Sequence, residues 1–253
     1  MDSRKIALVT GGSRGLGRDM AVNLAKKGLD VVITYNSNSE AAQRTLELIG
    51  TEGAQGIALQ LDARNSTAFE AFKTNLVAEL NKQWNRSKID YLVNNAGFGH
   101  EGSVFDTSEE AFDDLMNVHF KGVYFLTQKL LGAMNDGGGI VNISSGLARF
   151  SFPGYSAYAA MKGAVEVYTR YLAKELGTRK IKANTVAPGA INTDFNKDRF
   201  EAAPQVVEII ASLTALGRVG EAEDIGSVVA FLCTDDAAWI NGQRIEASGG
   251  MFV

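Results

Sequence analysis

The chain has 253 residues, of which 45% are hydrophobic, and it carries a formal net charge of −4. This length can bury one large core, so we predict a single domain over residues 1–253. Acidic and basic residues are interspersed, which argues against nucleic acid as a partner, and the single cysteine excludes an intramolecular disulfide.

The remaining compositional signals concern location and metal binding. No apolar run approaches the roughly 20 residues that a membrane-spanning helix needs. The first residues are charged and lack the apolar stretch of a signal peptide. We therefore predict a cytoplasmic protein with no membrane partner, and no metal site, because the His, Cys and carboxylate residues are not clustered as ligands.

Short strand-like runs alternate along the chain with longer helical patterns. Runs rich in β-branched and apolar residues predict strands at 6–10, 30–35, 56–61, 90–95, 139–144, 182–187 and 242–247. Apolar residues recur at helical spacing over residues 17–28, 39–53, 68–84, 108–134 and 157–177. This alternation predicts an α/β fold of parallel βαβ units, a Rossmann-type doubly wound parallel sheet with helices on both faces. Such a sheet binds its ligand beyond the carboxyl ends of its strands.

A glycine-rich loop, TGGSRGLGRD, follows the first predicted strand. As a P-loop it fails, since Arg18 replaces the lysine and Asp19 the hydroxyl residue. As a hydrolase nucleophile elbow it is weak, since no earlier chain can supply the oxyanion hole. As a dinucleotide-binding turn it has the right position but a looser spacing, at Gly11, Gly15 and Gly17. A ligand-free turn is the remaining alternative.

A tyrosine and a lysine four residues apart occur in the predicted helix 157–177. Tyr158 and Lys162 share one helix face, whereas Tyr155 has Ala159 at the matching position. A nearby ammonium favours the phenolate, so we expect Lys162 to lower the pKa of Tyr158. A tyrosine so tuned can exchange a proton with a carbonyl or an alcohol. Taken alone, such a pair is more often an incidental feature of a helix surface than a functional one.

Four motifs together resemble a known family. TGGSRGLG, NNAG (residues 94–97), YAAMK (158–162) and PGAINT (188–193) have the order and approximate spacing found in short-chain dehydrogenases/reductases. The resemblance covers essentially the whole chain and is nearest to the 3-oxoacyl-[acyl-carrier-protein] reductases and related ketoreductases. It implies about seven strands in the order 3-2-1-4-5-6-7 and the interconversion of a ketone or aldehyde and an alcohol by hydride transfer from a nicotinamide cofactor.

The resemblance also implies roles for individual residues. Tyr158 would be the general acid/base, with Lys162 beside it. Ser145, rather than its neighbour Ser144, would polarise the substrate carbonyl, and Asn117 would hold a water that connects Lys162 to solvent. The implied cofactor contacts are Gly11, Ser13, Arg14, Gly15, Leu16, Gly17, Asn36, Ser37, Asp62, Ala63, Asn95, Ala96, Gly97, Tyr158, Lys162, Pro188, Gly189, Ile191 and Thr193.

The end of the second predicted strand favours NADP(H) over NAD(H). An acid there would bind the ribose 2′-hydroxyl and repel a 2′-phosphate, but Tyr35, Asn36 and Ser37 occupy this region. In related enzymes the glycine-loop position of Arg14 holds that phosphate. We therefore predict NADPH/NADP+, with NADH less favoured.

The resemblance implies a small-molecule carbonyl compound as substrate, and the sequence leaves its identity open. The resemblance implies a substrate loop at about residues 190–218. Candidate pocket residues are Phe98, His100, Phe150, Phe195, Phe200 and Leu213. An acyl carrier protein is a possible partner, with Lys121, Lys129 and Arg149 as possible contacts, and sugar dehydrogenation is a further alternative. The resemblance also implies a homotetramer. The rival from another class is a non-catalytic dinucleotide sensor.

Overall fold

The structure, a computed structural model, describes residues 4–193 and 196–253. Its strands are β1 (Ile6–Val9), β2 (Asp30–Tyr35), β3 (Gly56–Gln60), β4 (Ile89–Asn94), β5 (Met134–Ile143), β6 (Lys182–Pro188), β7 (Ile191–Asn192), β8 (Gly220–Glu221) and β9 (Arg244–Ala247). Its α-helices are α1 (Gly15–Lys26), α2 (Ser39–Thr51), α3 (Phe69–Trp84), α4 (Glu109–Met116), α5 (Val123–Leu130), α6 (Ser156–Glu175), α7 (Lys197–Ala202), α8 (Pro204–Ser212) and α9 (Glu223–Leu232).

Within the described residues, seven strands form one parallel sheet in the order β3-β2-β1-β4-β5-β6-β9. The expected order is confirmed. The seventh strand of the sheet is the ninth along the chain, because the two-residue strands β7 and β8 pair with each other beside it. The strand order reverses between β1 and β4, which is where a doubly wound sheet binds its ligand.

Apolar side chains alternate between the two faces of the sheet, because successive residues of a strand point in opposite directions. Val9, Ile33 and Val93 belong to the core that packs with α1 and α9. Leu8 and Leu92 belong to the opposite core, which packs with α3, α5 and α6. With both faces covered, the central strands are apolar throughout, as the sequence indicated. No helix among the described residues is long and apolar enough to cross a membrane.

The predicted helix over residues 108–134 is not continuous. α4 ends at Met116, a wider π-helical turn covers Asn117–Gly122, and α5 follows; Met134 already begins β5. A side chain on Gly122 would collide with the carbonyl oxygens of Ala63 and Asn117. Glycine therefore lets this turn lie directly against the loop that follows β3. Such turns commonly occur at functional sites.

Candidate active site

The glycine loop lies between β1 and α1 and is braced by Asn95. The Asn95 Nδ2 donates to the carbonyls of Thr10, at 2.9 Å, and Gly11, at 3.3 Å. Gly11 and Gly15 have φ angles of 65° and 52°, which favour glycine. A Cβ on Gly17 would lie 2.6 Å from that same Nδ2, so the close approach of loop and helix also requires glycine.

The start of α1 can accept an anion. Its first turn contains no acidic residue, and its N-cap, Arg14, makes no side-chain capping bond. The amide groups of this turn therefore point into the cleft with the positive end of the helix dipole. These features fit a dinucleotide diphosphate.

A cavity of about 660 Å³ runs from this loop across the carboxyl ends of the strands. All the site residues expected from the resemblance line it except Asn117 and Ser37: Gly11, Ser13, Arg14, Gly15, Leu16, Gly17, Asn36, Asp62, Ala63, Asn95, Ala96, Gly97, Ser145, Tyr158, Lys162, Pro188, Gly189, Ile191 and Thr193. The sequence motifs, far apart along the chain, are therefore neighbours in space.

Tyr158, Lys162 and Ser145 all line the cavity and are all buried. The Lys162 Nζ donates to the Ile143 carbonyl at 2.8 Å and lies 5.5 Å from the centre of the Tyr158 ring. The Ser145 Oγ accepts from the Leu147 amide at 3.2 Å.

The net shift in the pKa of Tyr158 is opposite to the lowering expected from the sequence, because burial outweighs the effect of neighbouring groups. Burial raises the pKa of Tyr158 above its ordinary value of 10.0, opposed by a side-chain hydrogen bond with Ser145. Burial lowers the pKa of Lys162 to about 8. Desolvation dominates because both side chains are nearly sealed from water, and the ammonium is directed at the Ile143 carbonyl. At neutral pH the pair is therefore a neutral phenol beside an ammonium.

Ser144 turns away from Tyr158, as its neighbour position on an extended strand requires. Its hydroxyl donates to Glu166 Oε1 at 2.7 Å. This leaves Ser145 as the serine whose side chain bonds to Tyr158.

The π-helical turn places His119, and not Asn117, in the cavity wall. His119 is 1% exposed, and its ring meets the Tyr158 ring edge-on, with centres 5.1 Å apart. Its Nε2 lies 2.9 Å from the Phe98 carbonyl oxygen, while its Nδ1 is buried without a hydrogen-bond partner in the described structure. Burial, followed by the charge of Lys162, holds the pKa of His119 well below 6.5. The relay role of Asn117 stays a prediction.

Sequence reasoning overlooked His119 because helical periodicity cannot locate a π-helical turn. Both residues lie in one apolar helix pattern, and the turn decides which of them faces the cavity. The available signal was a histidine between two apolar residues, Val118 and Phe120, in a pattern of helical spacing.

The end of the cavity beyond Tyr158 is apolar and aromatic. The side chains there are Phe98, Leu147, Phe150, Phe152, Tyr155, Phe200, Ile210 and Met251. Of the candidate pocket residues, Phe98, Phe150 and Phe200 line this end, His100 and Leu213 do not, and Phe195 lies outside the described residues. Met251, close to the last residue of the sequence, was overlooked.

The opposite end of the cavity carries the exposed Arg14 and Asn36. A second arginine, Arg64, also lines it and lies between Asp62, at 3.6 Å, and Asp114, at 3.5 Å. The end of β2 has no carboxylate in the cavity wall. The residues at this end therefore suit a phosphorylated ribose better than one with free hydroxyls.

Comparison with known proteins gives a consistent result along the whole chain. The family described as "Enoyl-(Acyl carrier protein) reductase" matches residues 11–252. Versicolorin reductase 1 of Aspergillus parasiticus is 36% identical, covering 98% of this chain and 96% of its own. The 3-oxoacyl-[acyl-carrier-protein] reductase of Staphylococcus aureus is 34% identical, covering 100% of both chains.

A solved structure agrees in shape as well. An angucycline C-6 ketoreductase, LanV, with bound NADP superposes with a TM-score of 0.93 at 37% identity, covering 98% of this chain and 95% of that one. The expected family resemblance is thereby confirmed.

Proposed function

Because the chain belongs to the short-chain dehydrogenase/reductase family of oxidoreductases, we propose that it reduces a ketone with NADPH, using Tyr158 as the proton donor. The observation that carries the proposal is the burial of Tyr158, Ser145 and Lys162 together in the cavity that the glycine loop opens into. A protein that only senses a dinucleotide has no need of this group.

The cofactor would be held along the strand ends. The first turn of α1 would receive the diphosphate, and Asp62 and Ala63 would border the adenine. Pro188, Gly189 and Ile191 would border the nicotinamide, which when bound supplies the hydride that the carbonyl carbon accepts. Arg14 and Asn36 would contact a 2′-phosphate, and the bound NADP of LanV supports this choice.

The proton that the substrate oxygen gains would come from a side chain of the protein. Tyr158 is a neutral phenol at pH 7, since its ordinary pKa of 10.0 already lies well above neutrality and burial raises it further, so it has a proton to give. As the substrate oxygen gains negative charge, Tyr158 donates that proton to it and Ser145 stabilises the same oxygen by a hydrogen bond. The phenolate left on Tyr158 is stabilised by the ammonium of Lys162, which carries its charge below about pH 8.

The aromatic lining beyond Tyr158 supports a bulky, apolar ketone as substrate. Phe98, Phe150, Phe152, Tyr155 and Phe200 offer ring faces and edges, which pack best against flat apolar molecules. A carrier-protein substrate has less support. Arg149 is paired with Glu246 and Lys129 with Glu70, so two of the cations suggested for an acidic partner already contact carboxylates of this chain. That role and sugar dehydrogenation remain alternatives.

Homotetramer formation and a cytoplasmic location complete the proposal. Tyr124, Phe125, Val167 and Tyr171 are exposed on α5 and α6, which supports burial of these helices between subunits. Light scattering coupled to size-exclusion chromatography measures the assembly directly; a monomer at micromolar concentration contradicts it.

The proposed activity is tested by following NADPH absorbance at 340 nm with 1-tetralone, ethyl acetoacetate and a 3-oxoacyl thioester. We expect turnover of 1-tetralone that falls at least about 100-fold in Tyr158→Phe. Tyr171→Phe, at an exposed position of the same helix, is the matched control. Tight NADPH binding without turnover of any ketone would favour the sensor, and a preference for NADH would overturn the role of Arg14.

A further inference from the structure

Residues 248–252, which we call the clasp, run antiparallel to residues 213–216. The Leu216 amide donates to the Gly249 carbonyl at 3.0 Å, and the Ala215 amide donates to the Gly250 carbonyl at 3.2 Å. The Phe252 amide donates to the Leu213 carbonyl at 3.1 Å. The clasp therefore holds the chain immediately after α8.

Met251 is the clasp residue that reaches the cavity. It is 4% exposed and lines the cavity together with Phe200 of α7 and Ile210 of α8. These three side chains form one apolar cluster, and Phe150 packs against it. The clasp thus supplies part of the wall where an apolar substrate would lie.

Arg149 joins the clasp to the loop that carries Ser145. Its guanidinium donates to the carbonyls of Met251, at 2.7 Å, and Phe252, at 3.3 Å. The same guanidinium makes a two-point pair with Glu246, with both contacts at 2.7 Å. Paired hydrogen bonds of this kind fix direction as well as distance.

A second arginine continues the connection to the catalytic residues. Arg244 donates to Glu246 at 2.8 Å, to Glu166 at 2.7 Å and to the Ser145 carbonyl at 3.3 Å. Glu166 also accepts the Ser144 hydroxyl at 2.7 Å. An unbroken series of charged contacts therefore runs from the strand end at Ser145 to the clasp.

The backbone of the clasp adopts left-handed φ angles that its contacts with Arg149 and Phe150 stabilise. Gly249 and Gly250 have φ angles of 63° and 78°, and Phe252, which is not glycine, has a φ of 55°. A left-handed bulky residue persists only where its surroundings impose it. Here Arg149 holds the Phe252 carbonyl, and the Phe150 and Phe252 rings pack with centres 4.8 Å apart.

We propose that the clasp is a specificity-determining wall of the substrate pocket, in which Met251 sets the width and Arg149 is the positioning residue. Movement of the clasp would move the chain that follows α8 with it, because three backbone hydrogen bonds join them. The clasp thereby couples the geometry at Ser145 to the shape of the pocket. The kinetic part of this inference rests on the proposed ketone reduction.

The coupling is tested without activity, by hydrogen–deuterium exchange of the full chain. In Arg149→Gln we expect the amides of Ala215, Leu216 and Phe252 to exchange at least about tenfold faster, while those of β1 and β4 keep their rates. Arg44→Gln, on the exposed face of α2 and outside the cavity wall, is the matched control. If Arg149→Gln does not fold, Arg149→Lys keeps the charge but loses the two-point geometry. Unchanged exchange at Ala215 and Leu216 would overturn the proposal.

The specificity role is tested by the kinetics of 1-tetralone and ethyl acetoacetate. In Met251→Phe, which narrows the pocket, we expect kcat/KM for 1-tetralone to fall at least about tenfold through KM, and that for ethyl acetoacetate to stay within about threefold. In Arg149→Gln we expect KM for 1-tetralone to rise more than kcat falls, with NADPH affinity unchanged. Equal losses for both ketones would overturn the role of Met251. If the wild type reduces neither ketone, the proposed function fails, and the exchange rates still decide whether Arg149 holds the clasp.

Discussion

The buried ammonium of Lys162 provides a test of the electrostatics of the site. Lys162→Met keeps an unbranched side chain of similar length and removes the charge. We expect the variant to lose ketone reduction and yet to be more stable than the wild type at neutral pH. The reason is that folding takes the ammonium of Lys162 out of water, which lowers its pKa from 10.5 to about 8.

The size of the effect follows from that pKa difference. At pH 7 it corresponds to roughly 3 kcal/mol of unfavourable free energy. The variant also loses the 2.8 Å hydrogen bond to the Ile143 carbonyl and leaves that acceptor unpaired, which costs about 1–2 kcal/mol. We therefore expect a net gain of about 1–2 kcal/mol in the free energy of unfolding.

The sign of the pH dependence follows from linkage. Because the folded-state pKa of Lys162 lies below the unfolded value, the unfolded chain binds more protons between about pH 8 and 10.5. The contribution of Lys162 to wild-type stability therefore rises with pH in this window. A methionine at this position does not titrate, so the advantage of Lys162→Met should shrink by about 2 kcal/mol between pH 7 and pH 9.5.

The measurement is urea unfolding at pH 7 and pH 9.5, followed by tryptophan fluorescence at one fixed protein concentration. Lys174→Met, at an exposed position of α6, controls for the loss of a charge and the gain of a methionine. A variant that is less stable than the wild type at pH 7, or whose advantage is the same at both pH values, refutes the desolvation argument.

Substitutions at three further positions test other parts of the site. Arg14→Gln should raise KM for NADPH about tenfold and leave KM for NADH unchanged, since only the 2′-phosphate loses a partner; equal effects in initial-rate assays contradict this. His119→Leu should cost about 1–3 kcal/mol in urea unfolding because the Phe98 carbonyl loses its partner. The pKa of His119 lies below 6.5 in the fold, so its protonation in the unfolded chain lowers stability below that pH. His119→Gln, whose amide nitrogen can take the position of Nε2, should remove this dependence while keeping the hydrogen bond to the Phe98 carbonyl, and an unchanged acid slope counts against it. Although burial raises the pKa of Glu246, its hydrogen bonds with Arg149 and Arg244 lower it from 4.5 to about 2. The stability of the wild type should therefore fall more steeply between pH 4.5 and 2 than that of Glu246→Gln. Urea unfolding midpoints that fall equally with pH in both proteins would contradict this.

The sequence predicted the elements whose signals are local. Alternating apolar runs and helical spacing predicted the parallel sheet and its covering helices, and glycines after β1 marked the turn against which Asn95 packs. The four-residue spacing of Tyr158 and Lys162 was enough to place both side chains on one face of α6. These inferences succeeded because helix periodicity and positive φ angles depend on residues close in the chain.

The details of the site depended on contacts that no local signal encodes. The π-helical turn decided that His119 faces the cavity, since it depends on the fit of Gly122 against Ala63. The protonation of Tyr158 and Lys162 depended on how completely the surrounding chain excludes water. For this reason the direction predicted from sequence for the pKa of Tyr158 was wrong.

The wall of the proposed substrate pocket depends on a contact between residues that are far apart in the sequence. Arg149 and Met251 are about a hundred residues apart, and neither belongs to a motif. Even so, the Arg149 guanidinium donates a hydrogen bond to the Met251 carbonyl. The sequence by itself determined the sheet, the glycine turn and the shared helix face of Tyr158 and Lys162, because neighbouring residues encode them. Only the tertiary structure decided which side chains line the cavity and what charge they carry, because burial and long-range packing arise when the whole chain is folded.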